Sequence, residues 1–311
     1  MTAMEFRHIP VLFTETIDSL QIRPDGIYVD CTAGGGGHSS AILAKLNENG
    51  RLIAIDRDPQ AIAVLKERFG SDARVTIVND NFSNVISILQ QLGIDGVDGI
   101  LADLGVSSHQ LDSGERGFSF HKDAPLDMRM SMEGTSAADI VNRYSEPELA
   151  NVIFRFGEEK YSRSIAKAIV RAREKAPIET TFQLTEVIKS AMPAKAMRDG
   201  HPSRRTFQAL RIEVNGELSC LPDAVEGMFE SLKTGGILSI ISFHSLEDGI
   251  VKTKFREFTQ GCTCPKEFPI CVCGNTPRGK LCFRAKVPTE AELAENPRSR
   301  SSKLRSIERL K

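Results

Sequence analysis

The first third of the chain alternates short apolar runs with helical patterns, and this alternation constrains the fold more than any other feature. The runs are continuous rather than alternating in polarity, which is typical of parallel strands that are buried on both faces. They cover residues 27–29, 52–55, 75–78 and 100–102, and each leads to a polar residue. The pattern predicts an α/β fold with a doubly wound, mostly parallel, Rossmann-like sheet.

Helical patterns fill the gaps between these runs. One helix is predicted from Ser40 to Leu46. A second is predicted to begin at Asp58, a suitable N-cap, with Pro59 at its first position and Gly70 just beyond its end.

The alternation stops near Leu111. Residues 112–215 carry helical patterns and no convincing strand, and a helix from Leu221 to Leu232, ended by two glycines, then precedes an apolar strand at 237–241. We therefore predict a discontinuous sheet domain of residues 1–111 and 216–311, interrupted by a helical insert of residues 112–215.

The composition is that of a globular protein. The chain has 311 residues, of which 41 % are hydrophobic, and a net charge of -1, so any nucleic-acid surface must be local. Seven cysteines, an odd number, do not suggest a secreted disulfide framework. Because neither a signal peptide nor a membrane-spanning run is visible, we expect a cytoplasmic protein without a membrane partner.

A glycine-rich segment, residues 30–38 (DCTAGGGGH), follows the first strand. Asp56, at the end of the next strand, can accept both hydroxyls of a ribose. A dinucleotide fingerprint needs glycine or alanine where this chain has Ser39, so the match is poor. Asp30 would also repel the phosphates of a dinucleotide. The segment therefore favours the cationic ligand S-adenosylmethionine over a dinucleotide, while a glycine turn without a ligand stays possible. His38 is either a ligand contact or a helix-start residue.

Asp103 ends the fourth strand, where ligands of open α/β sheets bind. An exocyclic amine on a base is a poor nucleophile, and a carboxylate that accepts its N–H hydrogens restores electron density to the nitrogen. We therefore predict that Asp103 is catalytic in methyl transfer to such an amine. The alternative is a capping or turn aspartate.

Ten segments, taken together, resemble the bacterial small-subunit ribosomal RNA cytosine-N4 methyltransferase family (RsmH/MraW). The resemblance covers almost the whole chain. The segments are 8–12, 30–38, 54–61 (AIDRDPQA), 103–108 (DLGVSS), 115–120 (ERGFSF), 125–130 (PLDMRM), 156–160 (FGEEK), 205–215 (RTFQALRIEVN), 241–248 (ISFHSLED) and 295–302 (ENPRSRSS).

The resemblance implies N4-methylation of a cytosine in the decoding region of small-subunit ribosomal RNA. The implied partner is that RNA or the small ribosomal subunit, with the insert recognising RNA. It also implies that Asp56 holds the ribose of S-adenosylmethionine. The other implied cofactor contacts, besides Asp30, are Gly36, Gly37 and His38 at the methionine part, and Phe82, Asp103 and Gln110 at the adenosine and reaction side.

Basic residues in the insert recur at helical spacing. Like charges four residues apart repel each other, and an anionic partner would relieve that repulsion. The alternative is a solvated face that acidic neighbours at 158, 159 and 174 partly neutralise. The predicted RNA-facing stripe is Arg163, Lys167, Arg171 and Lys175, opposite a buried face of Ile165, Ala168, Ile169 and Ala172.

A second basic cluster in the insert is predicted to contact phosphates. It comprises Lys195, Arg198, His201, Arg204, Arg205 and Arg211. A target base must be flipped out or single-stranded to be methylated, and aromatic rings could stack on it. The candidates, which could equally be structural, are Phe118, Phe120, His121 and, as a substrate contact, His244.

Four cysteines form a CxC–x6–CxC pattern at Cys262, Cys264, Cys271 and Cys273. Four thiolates satisfy a tetrahedral zinc ion, so the pattern suggests a structural zinc site, with free thiols or reversible disulfides as the alternative.

Two other functions remain open at this point. A nicotinamide-dependent oxidoreductase would need the missing third glycine. A ribosome assembly factor with a vestigial cofactor site would be expected to have lost its acids, but Asp30, Asp56 and Asp103 are all present.

Overall fold

The structure is a computed structural model. It describes residues 10–107, 110–111, 114–196, 200–265 and 267–311. The chain divides into two compact units, a sheet unit of Met1–Gly105 with Ser219–Lys311, and a helical unit of Val106–Leu218. The boundaries proposed from sequence were 111/112 and 215/216.

The sheet unit contains a seven-stranded sheet in the order β3-β2-β1-β4-β5-β7-β6. Strands β1 to β5 pair in parallel, and β7 runs antiparallel to both β5 and β6. The α/β fold class predicted from the sequence is confirmed. The strands are β1 Ile27–Asp30, β2 Arg51–Asp56, β3 Val75–Asn79, β4 Val97–Asp103, β5 Leu232–Ser242, β6 Gly279–Leu281 and β7 Lys303–Arg309.

Helices surround this sheet and make up most of the helical unit. In the sheet unit they are α1 Phe13–Ser19, α2 Gly37–Lys45, α3 Pro59–Phe69, α4 Val85–Gln91, α10 Leu221–Glu230, α11 Ser245–Thr259 and α12 Glu290–Glu295, with short 3-10 helices at Phe82–Asn84 and Pro297–Ser301. In the helical unit they are α5 Ala137–Arg143, α6 Glu146–Gly157, α7 Ser162–Arg173, α8 Thr181–Ala191 and α9 Arg204–Asn215. Among the helices described, none is long and apolar enough to cross a membrane.

Local chemistry explains where several helices begin. Asp58 caps α3 as predicted, accepting the Gln60 N–H at 3.0 Å, and Pro59 is the first helical residue. Helix α2 starts three residues earlier than predicted, directly after Gly36, whose φ of 79° ends the preceding turn.

The predicted helix from Leu221 to Leu232 was too long. Helix α10 ends at Glu230, and Leu232 already pairs with Val97 in the sheet. The next pair in the register is Gly99 with Ile237, so β5 carries extra residues at this point. The glycines taken as a helix end lie inside this irregular strand, where Gly235 has a φ of 81°.

The helical unit has its own apolar core, which includes Leu149, Ile165, Leu184 and Leu210. Helices α6 and α9 approach closely at Gly157, where a Cβ would lie 2.6 Å from the Arg205 carbonyl oxygen. Helices α5, α6 and α8 each begin with a capping box, formed by a serine or threonine and the residue three positions later.

Tight packing between β1 and β4 gives a first prediction. A Cβ at Gly99 would lie 2.8 Å from the Tyr28 ring, whereas a Cβ at Gly249 in α11 has no neighbour within 4 Å. We expect Gly99→Ala to lower the free energy of unfolding by about 1–3 kcal/mol. The control Gly249→Ala should be neutral or stabilising by up to about 1 kcal/mol. Urea denaturation measures both, and equal values would contradict this packing.

Candidate functional site

Three acidic residues end three neighbouring strands of the sheet. Asp30, Asp56 and Asp103 are the last residues of β1, β2 and β4, and β1 lies between the other two strands. Because these strands are parallel, their carboxyl ends meet at one edge of the sheet. The sequence-based expectation that these acids share one edge is therefore met by the geometry.

Asp30 is the most enclosed of the three acids. It is 1 % exposed, and its Oδ2 accepts the Ser39 hydroxyl at 2.6 Å. Burial raises the pKa of Asp30 to about 6 against the effect of that hydrogen bond, and the negative charge of Asp56 adds to the rise. The carboxyl group is therefore held where a cation would favour its ionised form.

Backbone N–H groups fix the carboxylate of Asp56. The Gly34 N–H donates to Oδ2 and the Asp58 N–H donates to Oδ1, both at 2.8 Å. Burial raises the pKa of Asp56, and these two hydrogen bonds oppose the rise. Since each oxygen has a second lone pair, the oriented carboxylate can still accept hydroxyl groups.

The carboxyl group of Asp103 has one enclosed oxygen that lacks a hydrogen-bond partner among the described residues. This oxygen is Oδ1, although the side chain as a whole is 24 % exposed. Burial raises its pKa well above the usual range, and the charges of Asp30 and Glu247 raise it further. His38 Nδ1 lies 3.8 Å from Asp103 Oδ2, so the histidine faces the acid.

The glycine turn after β1 packs against its own sheet unit. A Cβ at Gly36 would lie 2.6 Å from the Phe69 ring, and one at Gly37 would lie 2.6 Å from Pro10 Cγ. A Cβ at Gly35 would have no neighbour within 4 Å. All four glycines were expected to allow close approach of a ligand, but Gly36 and Gly37 are also needed for packing within the protein.

Several residues at this edge were missed by the sequence argument. The Thr32 Oγ1 accepts the Asp103 N–H at 2.6 Å, Ser39 bonds Asp30, and Phe13 stacks on His38 with ring centroids 5.8 Å apart. Glu247 is 2 % exposed and reaches the site from α11. Ser39 and Thr32 lie within the glycine-rich region, but nothing local to Glu247 signals its proximity to Asp103.

Two predicted cofactor contacts, Phe82 and Gln110, do not belong to the glycine turn or to the ends of β1, β2 and β4. Phe82 starts the 3-10 helix after β3 and is partly exposed, so it is not a core aromatic. Gln110 belongs to the helical unit, where it is buried and its Oε1 accepts the Ser107 N–H at 3.0 Å. Their roles stay predictions.

The basic stripe, defined as Arg163, Lys167, Arg171 and Lys175, is exposed along and just beyond α7. The buried face opposite it comprises Ser162, Ile165, Ala166 and Ile169. Ala168 and Ala172, which were predicted on the buried face, stay partly exposed, because that face is displaced toward Ser162 and Ala166.

Two residues of the second basic cluster lie near acidic side chains of the helical unit, while Lys195 is exposed. Arg211 forms two hydrogen bonds of 2.9 Å with Glu217, so its expected phosphate contact is not supported. Arg205 lies 3.8 Å from the buried Glu159. Arg204 is exposed at the start of α9, and Arg198 lies outside the described residues.

The aromatic candidates separate into core and surface residues. Phe118 is buried and belongs to the core of the helical unit. Phe120 stacks on His201 with ring centroids 4.2 Å apart, and His121 lies against both rings. Phe120 and His201 are partly exposed and His121 is exposed, so this aromatic group can meet a ligand.

His244 has a structural role. It is the N-cap of α11, where its Nδ1 accepts the Glu247 N–H at 3.4 Å and its own backbone N–H donates to the Glu247 carboxylate at 3.3 Å. This capping role is the structural alternative to the predicted substrate contact of His244, which stays a prediction.

The fold and this edge define a class of protein before any comparison. A parallel sheet with a glycine turn after β1 and acids at the ends of β1, β2 and β4 is a Rossmann-like methyltransferase fold. The sequence matches the profile of the MraW methylase family over residues 5–310, and the chain belongs to that family.

Similar proteins cover nearly the whole chain. A protein of Clostridium botulinum (strain Kyoto / Type A2), named ribosomal RNA small subunit methyltransferase H, is 56 % identical over 97 % of this chain and 98 % of its own length. One of the same name from Brevibacillus brevis is 53 % identical over 100 % of both chains. One from Lachnospira eligens is 53 % identical over 99 % of both. The resemblance seen in the sequence is confirmed, and the oxidoreductase alternative is wrong.

The raised pKa of Asp30 predicts a pH-dependent stability. Between its unfolded pKa near 3.8 and its folded pKa of about 6, the folded protein retains a proton that the unfolded chain releases. The free energy of unfolding should therefore fall as pH rises through this window, by up to about 3 kcal/mol from Asp30 alone. Asp30→Asn should show a shallower fall. Urea denaturation at several pH values measures the slope, and equal slopes would contradict the burial effect.

Proposed function

We propose that this protein uses S-adenosylmethionine to methylate the N4 amine of a cytosine in the decoding region of small-subunit ribosomal RNA. The observation that carries the proposal is the group of three desolvated carboxylates at neighbouring strand ends. The names of the similar proteins support ribosomal RNA as the substrate. The resemblance of the sequence motifs supports cytosine N4 and the decoding region.

The residues present fit the charge of such a cofactor. Desolvated carboxylates at Asp30 and Asp103 favour a cationic ligand, because each is costly to ionise without a positive neighbour. Asp56, already oriented by two backbone N–H groups, would accept the ribose hydroxyls. Gly36, Gly37 and His38 would lie beside the methionine part, and Phe82 and Gln110 beside the adenosine.

When bound, S-adenosylmethionine supplies an electrophilic methyl group on a cationic sulfur. The chain's task is to bring the amine nitrogen into line with that group. Asp103 Oδ1, which has no partner among the described residues, would accept an N–H of the amine and so raise the electron density on nitrogen. Thr32 Oγ1 accepts the Asp103 backbone N–H at 2.6 Å, which anchors the backbone from which this side chain extends.

Methylation leaves the nitrogen with one proton too many. Burial and the charges of Asp30 and Glu247 raise the pKa of Asp103, so this carboxylate would accept that proton more readily than an ordinary aspartate. His38, whose Nδ1 lies 3.8 Å from the other carboxylate oxygen, would position Asp103. In this scheme the nitrogen would lose its proton to Asp103, and the electron pair of the broken carbon–sulfur bond would stay on sulfur.

The helical unit is the proposed RNA-recognition domain, acting in the cytoplasm. Its basic stripe is exposed, and the buried Glu159 faces Arg205 rather than the stripe. The stripe can therefore contact phosphates through Arg163, Lys167 and Arg171. The Phe120–His201 stack offers an aromatic surface for an unpaired base. Arg204 is exposed beside it in sequence.

The substrate assignment is tested in cells with and without this protein. Mass spectrometry of small-subunit RNA should show N4-methylcytidine in cells that contain the protein and none in cells that lack it. The wild-type gene should restore the modification and Asp103→Ala should not. An unchanged level of N4-methylcytidine in cells without the protein would remove the assignment.

Two variants separate binding from chemistry in the purified protein. Asp103→Ala should slow methyl transfer by about 10²- to 10⁴-fold while S-adenosylmethionine still binds. Asp56→Ala should weaken cofactor binding by about 10- to 100-fold, because it removes hydrogen bonds to a charged acceptor. Calorimetric titration measures binding, and circular dichroism confirms folding. If Asp103→Ala folds and retains full activity, the catalytic role is wrong.

Removing three of the four charges of the basic stripe should weaken RNA binding and reduce its dependence on salt concentration. The triple variant Arg163→Gln, Lys167→Gln and Arg171→Gln should reduce the slope of log K against log salt by about 2, if each side chain contacts one phosphate of a single strand. Lys252→Gln, which removes an exposed charge from α11, is the matched control. Fluorescence anisotropy with a small-subunit RNA fragment measures the slope, and an unchanged slope would exclude the stripe.

A further inference from the structure

We propose that Cys262, Cys264, Cys271 and Cys273 bind one zinc ion through four thiolates, and that this ion folds the segment between α11 and β6. The four sulfur atoms all lie within 4.8 Å of one another. The site is separate from the proposed methyl-transfer residues, and it goes beyond the proposed function.

The sulfur geometry matches a tetrahedral metal site. Four Zn–S bonds of about 2.3 Å place the sulfurs about 3.8 Å apart along the edges of the tetrahedron. The sulfur of Cys271 lies 3.4 Å from that of Cys262 and 3.6 Å from that of Cys273, and the sulfurs of Cys262 and Cys273 are 3.7 Å apart. All four cysteines are free, so no disulfide explains their gathering.

Backbone N–H groups point at the sulfurs, as they do around metal-bound thiolates. The Thr263 N–H and the Asn275 N–H donate to Cys273 Sγ at 3.3 and 3.4 Å, and the Val272 N–H donates to Cys264 Sγ at 3.3 Å. A neutral thiol is a weak acceptor, whereas a thiolate bound to a cation is a good one. The loop is therefore built to surround charged sulfur.

The described residues of this segment have neither regular secondary structure nor a core. Between α11 and β6 the described residues form no helix or strand, and none of those from 261 to 277 is buried. The apolar side chains Phe268, Ile270 and Val272 are 50 %, 74 % and 72 % exposed, so they form no core. A segment of this size without a core needs a cross-link to hold its conformation, and a structural metal ion provides one.

Hydrogen bonds join the beginning of the segment to its end. Asn275 Nδ2 donates to the Gly261 carbonyl at 2.8 Å, and the Arg278 N–H donates to the Phe258 carbonyl at 2.8 Å. These contacts bring the two CxC pairs together before metal binds. Zinc then replaces the proton of each thiol, and the protons go to solvent.

The position of the site makes it structural rather than catalytic. It follows the carboxyl end of α11, while Glu247 lies near the amino end of the same helix. From Glu247 to the last helical residue, Thr259, the helix rises by about 18 Å, which is far beyond contact with a reacting group. All four ligands are protein thiolates, so no coordination position stays open for substrate.

Metal analysis of the full-length protein, purified without chelators under reducing conditions, tests the proposal. We expect about one zinc ion per chain, lost in the Cys271→Ser variant and retained in the matched control Cys282→Ser, which removes a cysteine outside the quartet. Cobalt added to metal-free protein should give the visible spectrum of tetrahedral thiolate coordination. Zinc well below one per chain together with no such cobalt spectrum would overturn the site, and iron in place of zinc would overturn its identity.

A second measurement tests the structural role. Removing zinc should increase protease cleavage between residues 261 and 277, located by mass spectrometry, and leave S-adenosylmethionine affinity unchanged within about twofold. Unchanged cleavage would overturn the folding role, and lost cofactor affinity would overturn the separation of the two sites. Since metal content is measured without methyl transfer, these outcomes do not depend on the proposed function.

Discussion

The desolvation of three carboxylates at neighbouring strand ends is the constraint on which the site depends. A parallel sheet brings Asp30, Asp56 and Asp103 to one edge, and burial raises the pKa of each. Such an arrangement is costly for a protein alone, because desolvated charges of one sign destabilise the folded state. The cost is reasonable where a cationic ligand binds, since the ligand compensates the charge at the moment of function.

Much of the sheet unit could be predicted from sequence, because its signals are local. Continuous apolar runs located β1 to β4, and the polar residue ending each strand located the acids. Asp58 and Pro59 located the start of α3. Glu247 could not be found in this way, because it reaches Asp103 from a helix far along the chain and only the strand order brings it there.

Surface charge was harder to predict than the fold. Helical spacing located the basic stripe, but sequence could not tell an exposed arginine from one that has a partner in the protein. Arg211 is bound by Glu217, which lies just after the same helix. Arg205 lies 3.8 Å from Glu159, near the point where α6 and α9 pack through Gly157. The basic stripe on α7 stays exposed, and Glu159, which precedes it in sequence, is buried and lies near Arg205 instead.

Protonation and cofactor binding compete for the same carboxylates. A cationic ligand binds the ionised form of Asp30, so below its pKa of about 6 the ligand must displace a proton, at about 1.4 kcal/mol for each further pH unit. A bound cation lowers the pKa again, which keeps the acid ionised while the site is full. Asp103 differs, because its charge must both attract the cation and later take a proton from nitrogen. Burial raises its pKa, and the charges of Asp30 and Glu247 raise it further, which suits the second task.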